Sequence, residues 1–388
     1  MKITMIAPTY LPARRANTIQ VMKMAQAFAV LGHNVLVLVP GKGSSAPTWV
    51  ELARHYGLQH HFDIEWLSAW PCLRRYDYGL AAVHRARSWG AELIYTRLPQ
   101  AAALASMLGC STIYEIHDLP QGMLGPWLLR RFLTGRGARA LVVITAALKE
   151  ALTSRFSPPA GLPLVIAPDA VDLARYQNLP SLAEARQSLN SALRIPNSPF
   201  IAGYTGHFYP GRGSELILQM ASQLPDVGFL LVGGDPADVE RLRGEVEFRR
   251  LDNITLTGFV SNAELPLYQA ACNLLLMPYQ RNVSASSGGD IARYLSPMKL
   301  FEYLACGRPI LSSDLPVLRE VLNPKNAVLL PPDEIEAWVA AIREVRHNPA
   351  QCAAMAAQAQ QDVQQYSWEA RAARILAASE VSSLNSNG

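Results

Sequence analysis

Apolar runs of strand length alternate with longer amphipathic stretches along most of the chain. KITMIAP opens the series, and a helix near Asn17–Leu31 follows it, broken by Gly32. HNVLVLVP is apolar throughout, as a strand must be when helices cover both faces of its sheet. ELIYTR, STIYEIH and ARALVVIT continue the pattern, with helix-length segments between them. Such strand–helix repetition predicts a parallel sheet.

The alternation pauses between about Pro168 and Pro199, where Pro180, Pro196 and Pro199 surround the polar, helix-like SLAEARQSL. This stretch reads as a connection between domains. The pattern then restarts with FIAGYTG, VGFLLVGG, NITLTGFV, CNLLLMPY, PILSSD and AVLLPP, again with helices between them. The last part, about Pro349–Asn385, is Ala/Gln-rich and helical in pattern, with a break near Tyr366–Trp368. The expected fold class is therefore α/β, with two successive parallel-sheet domains. In such sheets ligands bind beyond the carboxyl ends of the strands. Candidate sites then lie at Thr9–Thr18, His117–Asp118, His207–Gly213, Gly233–Asp235 and Tyr279–Lys299.

Charge adds an asymmetry. Residues 1–170 carry 17 Lys+Arg against 9 Asp+Glu, a balance of +8, whereas residues 171–388 carry 18 against 22, a balance of −4. A basic half attracts anionic membranes or anionic substrates. No aromatic-studded basic repeat and no zinc spacing point to nucleic acid. Five cysteines, an odd number without a C-x-x-C pair, predict reduced thiols and a cytosolic protein. The N-terminus reads as a strand, not a signal peptide, and no apolar run reaches the roughly 18 residues of a membrane span.

Four segments carry candidate chemistry. In SPMKLFEYLACGRPI, Ser296 suits a helix N-cap and Pro297 the first helical position, which puts Lys299 in the first turn. A lysine there is mildly unfavourable, unless an anion such as a phosphate occupies the helix start. Glu302, one turn on, can accept hydrogen bonds from hydroxyls. The competing reading is a surface lysine beside a solvated glutamate. In GYTGHFYPGRGSELILQM a glycine-rich loop holds His207, Gly211, Arg212 and Gly213 before a helix. Two cations at helix starts after strands suggest one diphosphate held between them. An exposed arginine on a plain turn is the alternative. In YEIHDLP, His117 and Asp118 follow an apolar strand, either as a pair that handles a proton or as a structural histidine. In PTYLPARRANT, Arg14, Arg15 and Asn17 either reach an anion or are solvated. No G-x-G-x-x-G follows the first strand, and no G-x-S-x-G occurs, so a dinucleotide oxidoreductase and a serine hydrolase are not supported. GPWLLRRFLTGRGAR mixes Trp127 with four arginines, as an ordinary amphipathic helix or one resting on anionic lipid.

Nearly the whole chain resembles the GT-B glycosyltransferases of family 4, the group 1 transferases. NTIQVMKMAQAFAVLGHNVLVLVP, YEIHD, VITAALKEAL, GYTGHFYPGRG, ITLTGFVSNAELPLYQAACNLLLMPY and SPMKLFEYLACGRPILSSDLP fall in the family's order. The resemblance implies two Rossmann-like domains facing across a cleft. Residues 1–170, with a helix of about 366–388 packing back, would form the acceptor domain, and residues 171–365 the nucleotide-sugar domain. It implies a retaining, metal-independent transfer of a sugar from a nucleotide-diphosphate sugar. The expected acceptor is a glycan, a lipid-linked molecule or a small molecule, in polysaccharide or glycoconjugate biosynthesis. No cofactor is implied beyond the donor substrate, and the expected place is cytoplasmic or peripheral to the inner membrane face. A sugar-nucleotide epimerase and a non-catalytic partner protein of the same fold are the alternatives.

By motif match, Arg212 stands for the family's phosphate-binding lysine, Glu302 for the ribose-binding glutamate and His117 for the histidine facing the sugar. Val260 lies where the backbone meets the base, and Asp290, Ser296, Pro297 and Leu300 line the donor motif. Arg14, Asn17 and Asp118 fall on the acceptor side. The chain departs from the family pattern at four places, one of them the first loop, where Arg14-Arg15-Ala16-Asn17 stands in place of paired glycines. Tyr294 stands where the first of two spaced glutamates is usual, with Asp290, the SASSGG loop or Lys299 as replacements. His207 stands in place of an arginine, and Asp169-Ala170 in place of Asn-Gly.

Overall fold

The computed structural model describes residues 1–41, 46–190, 198–284 and 289–384. The chain divides into two compact units, one of Met1–Asp169 with the segment from Trp368 onward, the other of Ala170–Ser367.

The first unit is built on strands β1 (Lys2–Ile6), β2 (Asn34–Pro40), β3 (Asp63–Leu67), β4 (Leu93–Thr96), β5 (Thr112–Ile116), β6 (Ala138–Val143) and β7 (Leu164–Ile166). All pair in parallel in the order β3-β2-β1-β4-β5-β6-β7. Helices α1 (Ala16–Val30), α2 (Trp49–Tyr56), α3 (Tyr76–Trp89), α4 (Pro99–Met107), α5 (Leu124–Thr134) and α6 (Ala146–Phe156) make the crossovers. β3 and β7, the two edge strands, escape the hydrophobic pattern. β3 is half-buried or exposed and interrupted by Asp63 and Glu65, and β7, though apolar, is half-buried and only three residues long.

The second unit contains α7 (Leu182–Asn190), then β8 (Ile201–Thr205), α8 (Ser214–Gln223), β9 (Gly228–Val232), α9 (Pro236–Phe248), β10 (Ile254–Gly258), α10 (Leu265–Ala270) and β11 (Leu274–Met277). α11 (Met298–Cys306), β12 (Ile310–Ser313), β13 (Val328–Leu330), α12 (Ile335–His347) and α13 (Pro349–Asp362) complete it. The strand order is β10-β9-β8-β11-β12-β13, all parallel. Alternate residues feed opposite faces. Ile201, Leu230, Leu275 and Ile310 pack with Leu300, Phe301 and Leu304 of α11. Ala202, Phe229, Leu274 and Leu311 pack with Ile217 of α8 and Trp338 of α12. This two-sided burial is why these strands read as apolar throughout.

After a one-turn helix at Val363–Tyr366 the chain enters α14 (Trp368–Leu384), which returns to the first unit and packs on α1 and β6. In both sheets the strand order reverses beside the first strand, at β1/β4 and at β8/β11. Crevices beyond the carboxyl ends of the strands open at such points.

Candidate functional site: paired cations at the β8/β11 switch point

Two segments meet at the carboxyl end of the second sheet. The loop after β8 runs Gly206–Gly213, and the segment after β11 begins Pro278-Tyr279. They are packed backbone to backbone. A Cβ on Gly211 would lie 1.9 Å from the Asn282 carbonyl oxygen, and one on Gly213 2.1 Å from that of Pro278. Both glycines have φ above +80°. They are thus close-packing residues of the loop, with no side chain to offer a ligand.

Glycine-driven packing holds Arg212 beside Tyr279. Its Nη1 donates to the Tyr279 hydroxyl at 3.2 Å, and its guanidinium carbon lies 5.5 Å from the ring centroid. Lys299 reaches the same ring from α11, with Nζ 5.4 Å from the Tyr279 centroid and 3.7 Å from that of Tyr204. The lysine lies against Gly206, where a Cβ would stand 2.8 Å from Nζ. Lys299 is 8% exposed, so the surface-lysine reading does not hold. Lys299 Nζ and Arg212 Nε are buried and have no hydrogen-bond partner among the described residues. Burial, and secondarily the Arg212 charge, push the Lys299 pKa well below the usual lysine range, against a smaller opposing effect of Glu302.

Two local expectations need correction. Pro297, not Ser296, is the N-cap of α11, with extended ψ of 128°, and the helix starts at Met298. Proline has no side-chain acceptor, so the N-cap residue itself bonds none of the first amides of α11 through its side chain. Lys299 still falls in the first turn. Arg212 is not in the first turn of α8: Gly213 in the left-handed region is the N-cap, so Arg212 precedes it.

Glu302 is also 8% exposed and sits in a polar network. Its Oε2 accepts from Gln269 Nε2 at 3.3 Å, and Gln269 Oε1 accepts from the Tyr176 hydroxyl at 2.9 Å. Gln269 also reaches Thr205 Oγ1, whose amide donates to the Tyr303 hydroxyl at 2.8 Å. His207 stacks on Tyr209 with centroids 4.8 Å apart, and its Nδ1 lies 3.8 Å from Asp235 Oδ2. Leu300 is placed otherwise: its side chain is core, and its amide bonds to the Pro297 carbonyl at 2.9 Å. Asp290 closes its own loop, taking the Val283 and Ala292 amides on Oδ1 at 2.8 and 2.9 Å. Of the SASSGG loop, residues 285–288 lie outside the described residues. Val260 is half-buried after β10, packed against the core.

In the first unit the expected His117–Asp118 pair does not form. His117 Nε2 bonds instead to Glu115, two residues back on β5, because alternate strand residues share a face. Asp118 turns to the loop, accepting from the Leu119 amide and Gln121 at 2.7 and 2.8 Å. Burial, then repulsion from Arg97, lowers the His117 pKa to about 4, while Arg371 and His117 hold Glu115 at about 2 against its desolvation. Arg14 is exposed, and Asn17 is half-buried in the first turn of α1. Sequence reasoning missed Tyr204 and Gln269 around the cations, had Tyr279 only as the first residue of a candidate segment, and missed Glu115 and Arg371 around the histidine. A carboxylate inside the apolar run IYEIH was the available signal for Glu115. Among the described residues, no group of three or more His, Cys, Asp or Glu side chains is arranged to hold a metal ion.

Residues 185–362 match the family described as glycosyl transferases group 1, and residues 18–175 match glycosyltransferase family 4. Teichuronic acid biosynthesis glycosyltransferase TuaH of Bacillus subtilis, itself a tentatively assigned protein, is 31% identical over 32% of this chain and 29% of its own. The 2-deoxystreptamine glucosyltransferase of Streptomyces kanamyceticus is 25% identical over 66% of this chain and 62% of its own. These two matches thus span less than two thirds of either relative. Phosphatidyl-myo-inositol mannosyltransferase of Mycolicibacterium smegmatis is 22% identical over 97% and 92%. Among solved structures, sucrose-phosphate synthase of Thermosynechococcus elongatus superposes with a TM-score of 0.74 at 20% identity, covering 100% of both chains. Anabaena HepE in complex with UDP-glucose gives 0.73 at 19%, also over 100% of both. These likenesses show the GT-B fold. The two family matches, one in each half of the chain, show that it belongs to the group 1 glycosyl transferases.

Proposed function

We propose that this protein is a retaining glycosyltransferase that takes a sugar from a nucleotide-diphosphate donor held at the β8/β11 switch point. The carrying observation is the convergence of Arg212 and Lys299 on the Tyr279 ring, each with a buried nitrogen that has no partner among the described residues. Buried polar groups in folded proteins are ordinarily bonded. Two such cations beside a helix start fit a diphosphate. The complexes of HepE with UDP and with UDP-glucose support a nucleotide sugar as the ligand class.

The chemistry follows from the charge. Breaking the bond between the anomeric carbon and the diphosphate oxygen leaves the electron pair on the diphosphate. Arg212, Lys299 and the first amides of α11 stabilise that charge as it grows. The acceptor hydroxyl forms the new bond on the same face and passes its proton to the leaving phosphate oxygen. This route needs neither a carboxylate nucleophile nor a metal ion. Glu302, steadied by Gln269, accepts the ribose hydroxyls.

The acceptor is a glycan, a lipid-linked molecule or a small molecule, a range that the names of the relatives also span. Peripheral contact with an anionic bilayer belongs to the same reading. Met123 and Trp127 at the start of α5 are 93% and 48% exposed, beside exposed Arg130 and Arg131. No helix of the described residues is long and apolar enough to cross a membrane.

The test begins with melting curves against UDP, GDP, ADP and dTDP and their glucose or mannose conjugates, since a ligand of the folded state raises the melting temperature. Release of nucleoside diphosphate with a candidate acceptor then measures turnover. Stabilisation by one diphosphate series and acceptor-dependent release are expected. Absence of any shift would overturn the reading, and release of an altered sugar nucleotide without acceptor would favour an epimerase.

A further inference from the structure

The buried charges of the first unit converge on one atom. Glu115 is fully buried on β5, and its Oε1 takes donors from three elements. His117 Nε2 is one; Gln20 Nε2 of α1 is the second at 2.5 Å; Arg371 Nη2 of α14 is the third at 2.9 Å. Gln20 is itself oriented, because its Oε1 accepts from Arg97 Nη1 at 2.8 Å. Arg371 is 2% exposed and locked on every side. Its Nε donates to the Pro168 carbonyl at 2.8 Å, its Nη2 also to that of Ala167 at 3.0 Å, and its Nη1 to the Tyr95 hydroxyl at 3.3 Å.

A neutral imidazole has one donor and one acceptor nitrogen, and the partner of one fixes the role of the other. A carboxylate that faces an arginine stays ionised and can only accept. His117 must therefore carry its proton on Nε2. Its Nδ1 is then an acceptor, with no partner among the described residues. The ring is partly open, its side chain 22% exposed, so Nδ1 is available to a ligand hydroxyl.

We propose that Glu115 and Arg371 are positioning residues: the C-terminal helix α14, through Arg371 and Glu115, fixes His117 as the Nε2–H tautomer, which presents Nδ1 to accept a hydroxyl of an acceptor bound at the first unit. This rests on the proposed transferase reading for the identity of the hydroxyl, but the tautomer does not. It also gives α14 a part in the site beyond closing the first unit, although 254 positions separate Arg371 from His117 (371 − 117).

The tautomer is read by two-bond ¹⁵N–¹H correlation on the full-length protein with ¹⁵N-labelled histidine, with His117 assigned from its loss in His117→Asn. Wild type is expected to show the Nε2–H pattern, and an Nδ1–H pattern would overturn the proposal without any variant. Glu115→Gln and Arg371→Met, checked for folding by near-UV circular dichroism, are expected to shift the pattern toward Nδ1–H or exchange. They are also expected to lower kcat at least about tenfold while KM for the donor moves little. Arg371→Lys, which keeps the charge, is expected to restore part of both. An unchanged tautomer in folded Glu115→Gln and Arg371→Met refutes the positioning role. Wild-type protein with the Nε2–H pattern but no sugar transfer would instead count against the transferase reading alone.

Discussion

Replacing Lys299 by methionine should stabilise the fold while it disables the donor site. The lysine is 8% exposed, and its Nζ has no hydrogen-bond partner among the described residues. An unbonded buried polar group costs about 1–3 kcal/mol. The Tyr204 ring at 3.7 Å returns about 0.5–1 kcal/mol when the amine is charged, and less here because burial disfavours the charged form. Methionine has nearly the same length and suits the surrounding rings. The net expectation is a gain of about 1–2 kcal/mol. For a unit the size of Ala170–Ser367 that raises the melting temperature by roughly 2–8 °C. The pH dependence has a defined sign. The folded-state pKa is depressed, so below about pH 10.5 the unfolded chain binds the extra proton. The advantage of methionine therefore shrinks as pH rises toward that value. With the diphosphate present the order reverses: losing a charge-assisted contact of about 1.5–3 kcal/mol weakens affinity by about 10- to 150-fold. Differential scanning fluorimetry with and without nucleotide, backed by calorimetric titration, measures both. A variant that melts more than about 2 °C below wild type, yet binds nucleoside diphosphate equally well, would refute the reasoning.

Gly211→Ala should lose about 2–4 kcal/mol in urea unfolding, since its Cβ would meet the Asn282 carbonyl at 1.9 Å from a left-handed backbone; an unshifted midpoint would contradict the packing described. Glu302→Gln keeps a partner for Gln269 but removes the carboxylate, so nucleotide affinity should fall about tenfold with a stability change under about 1 kcal/mol, as titration and melting would show. The His117 pKa of about 4 keeps the imidazole neutral, so kcat measured from pH 5.5 to 8 should show no step near 6.5 that His117→Asn removes. Met123→Ser/Trp127→Ser protein should lose flotation with phosphatidylglycerol vesicles while keeping donor affinity; wild type that fails to float, or floats equally with phosphatidylcholine, would remove the membrane contact.

The central strands of both sheets were legible because two-sided burial leaves an apolar run, and in the second unit the alternation also reached the edge strands β10 and β13, although β10 is only half-buried. β3 was not, because Asp63 and Glu65 break its run, nor was β7, which is only three residues long. Lys299 was visible as a cation where a helix start disfavours one. Its neighbours Tyr204 and Tyr279 were not, since tyrosines at strand ends look like ordinary core. The helix boundary slipped by one residue because proline satisfies the backbone at either the N-cap or the first helical position, and its ψ decides. His117 was found, but its partner was misassigned to the adjacent Asp118, where strand alternation favours the residue two back. Arg371 carried no local signal at all: its meaning depends on α14 returning to β5, which only the tertiary fold reveals.

The most direct measurement compares calorimetric affinities for a nucleoside, its monophosphate and its diphosphate, in wild type, Arg212→Ala, Lys299→Met and the double variant. The account predicts that wild type prefers the diphosphate over the nucleoside by at least about 10²-fold, and that this preference falls stepwise and is nearly lost in the double variant. A nucleoside bound as tightly as its diphosphate, or a preference that survives loss of both cations, would contradict it.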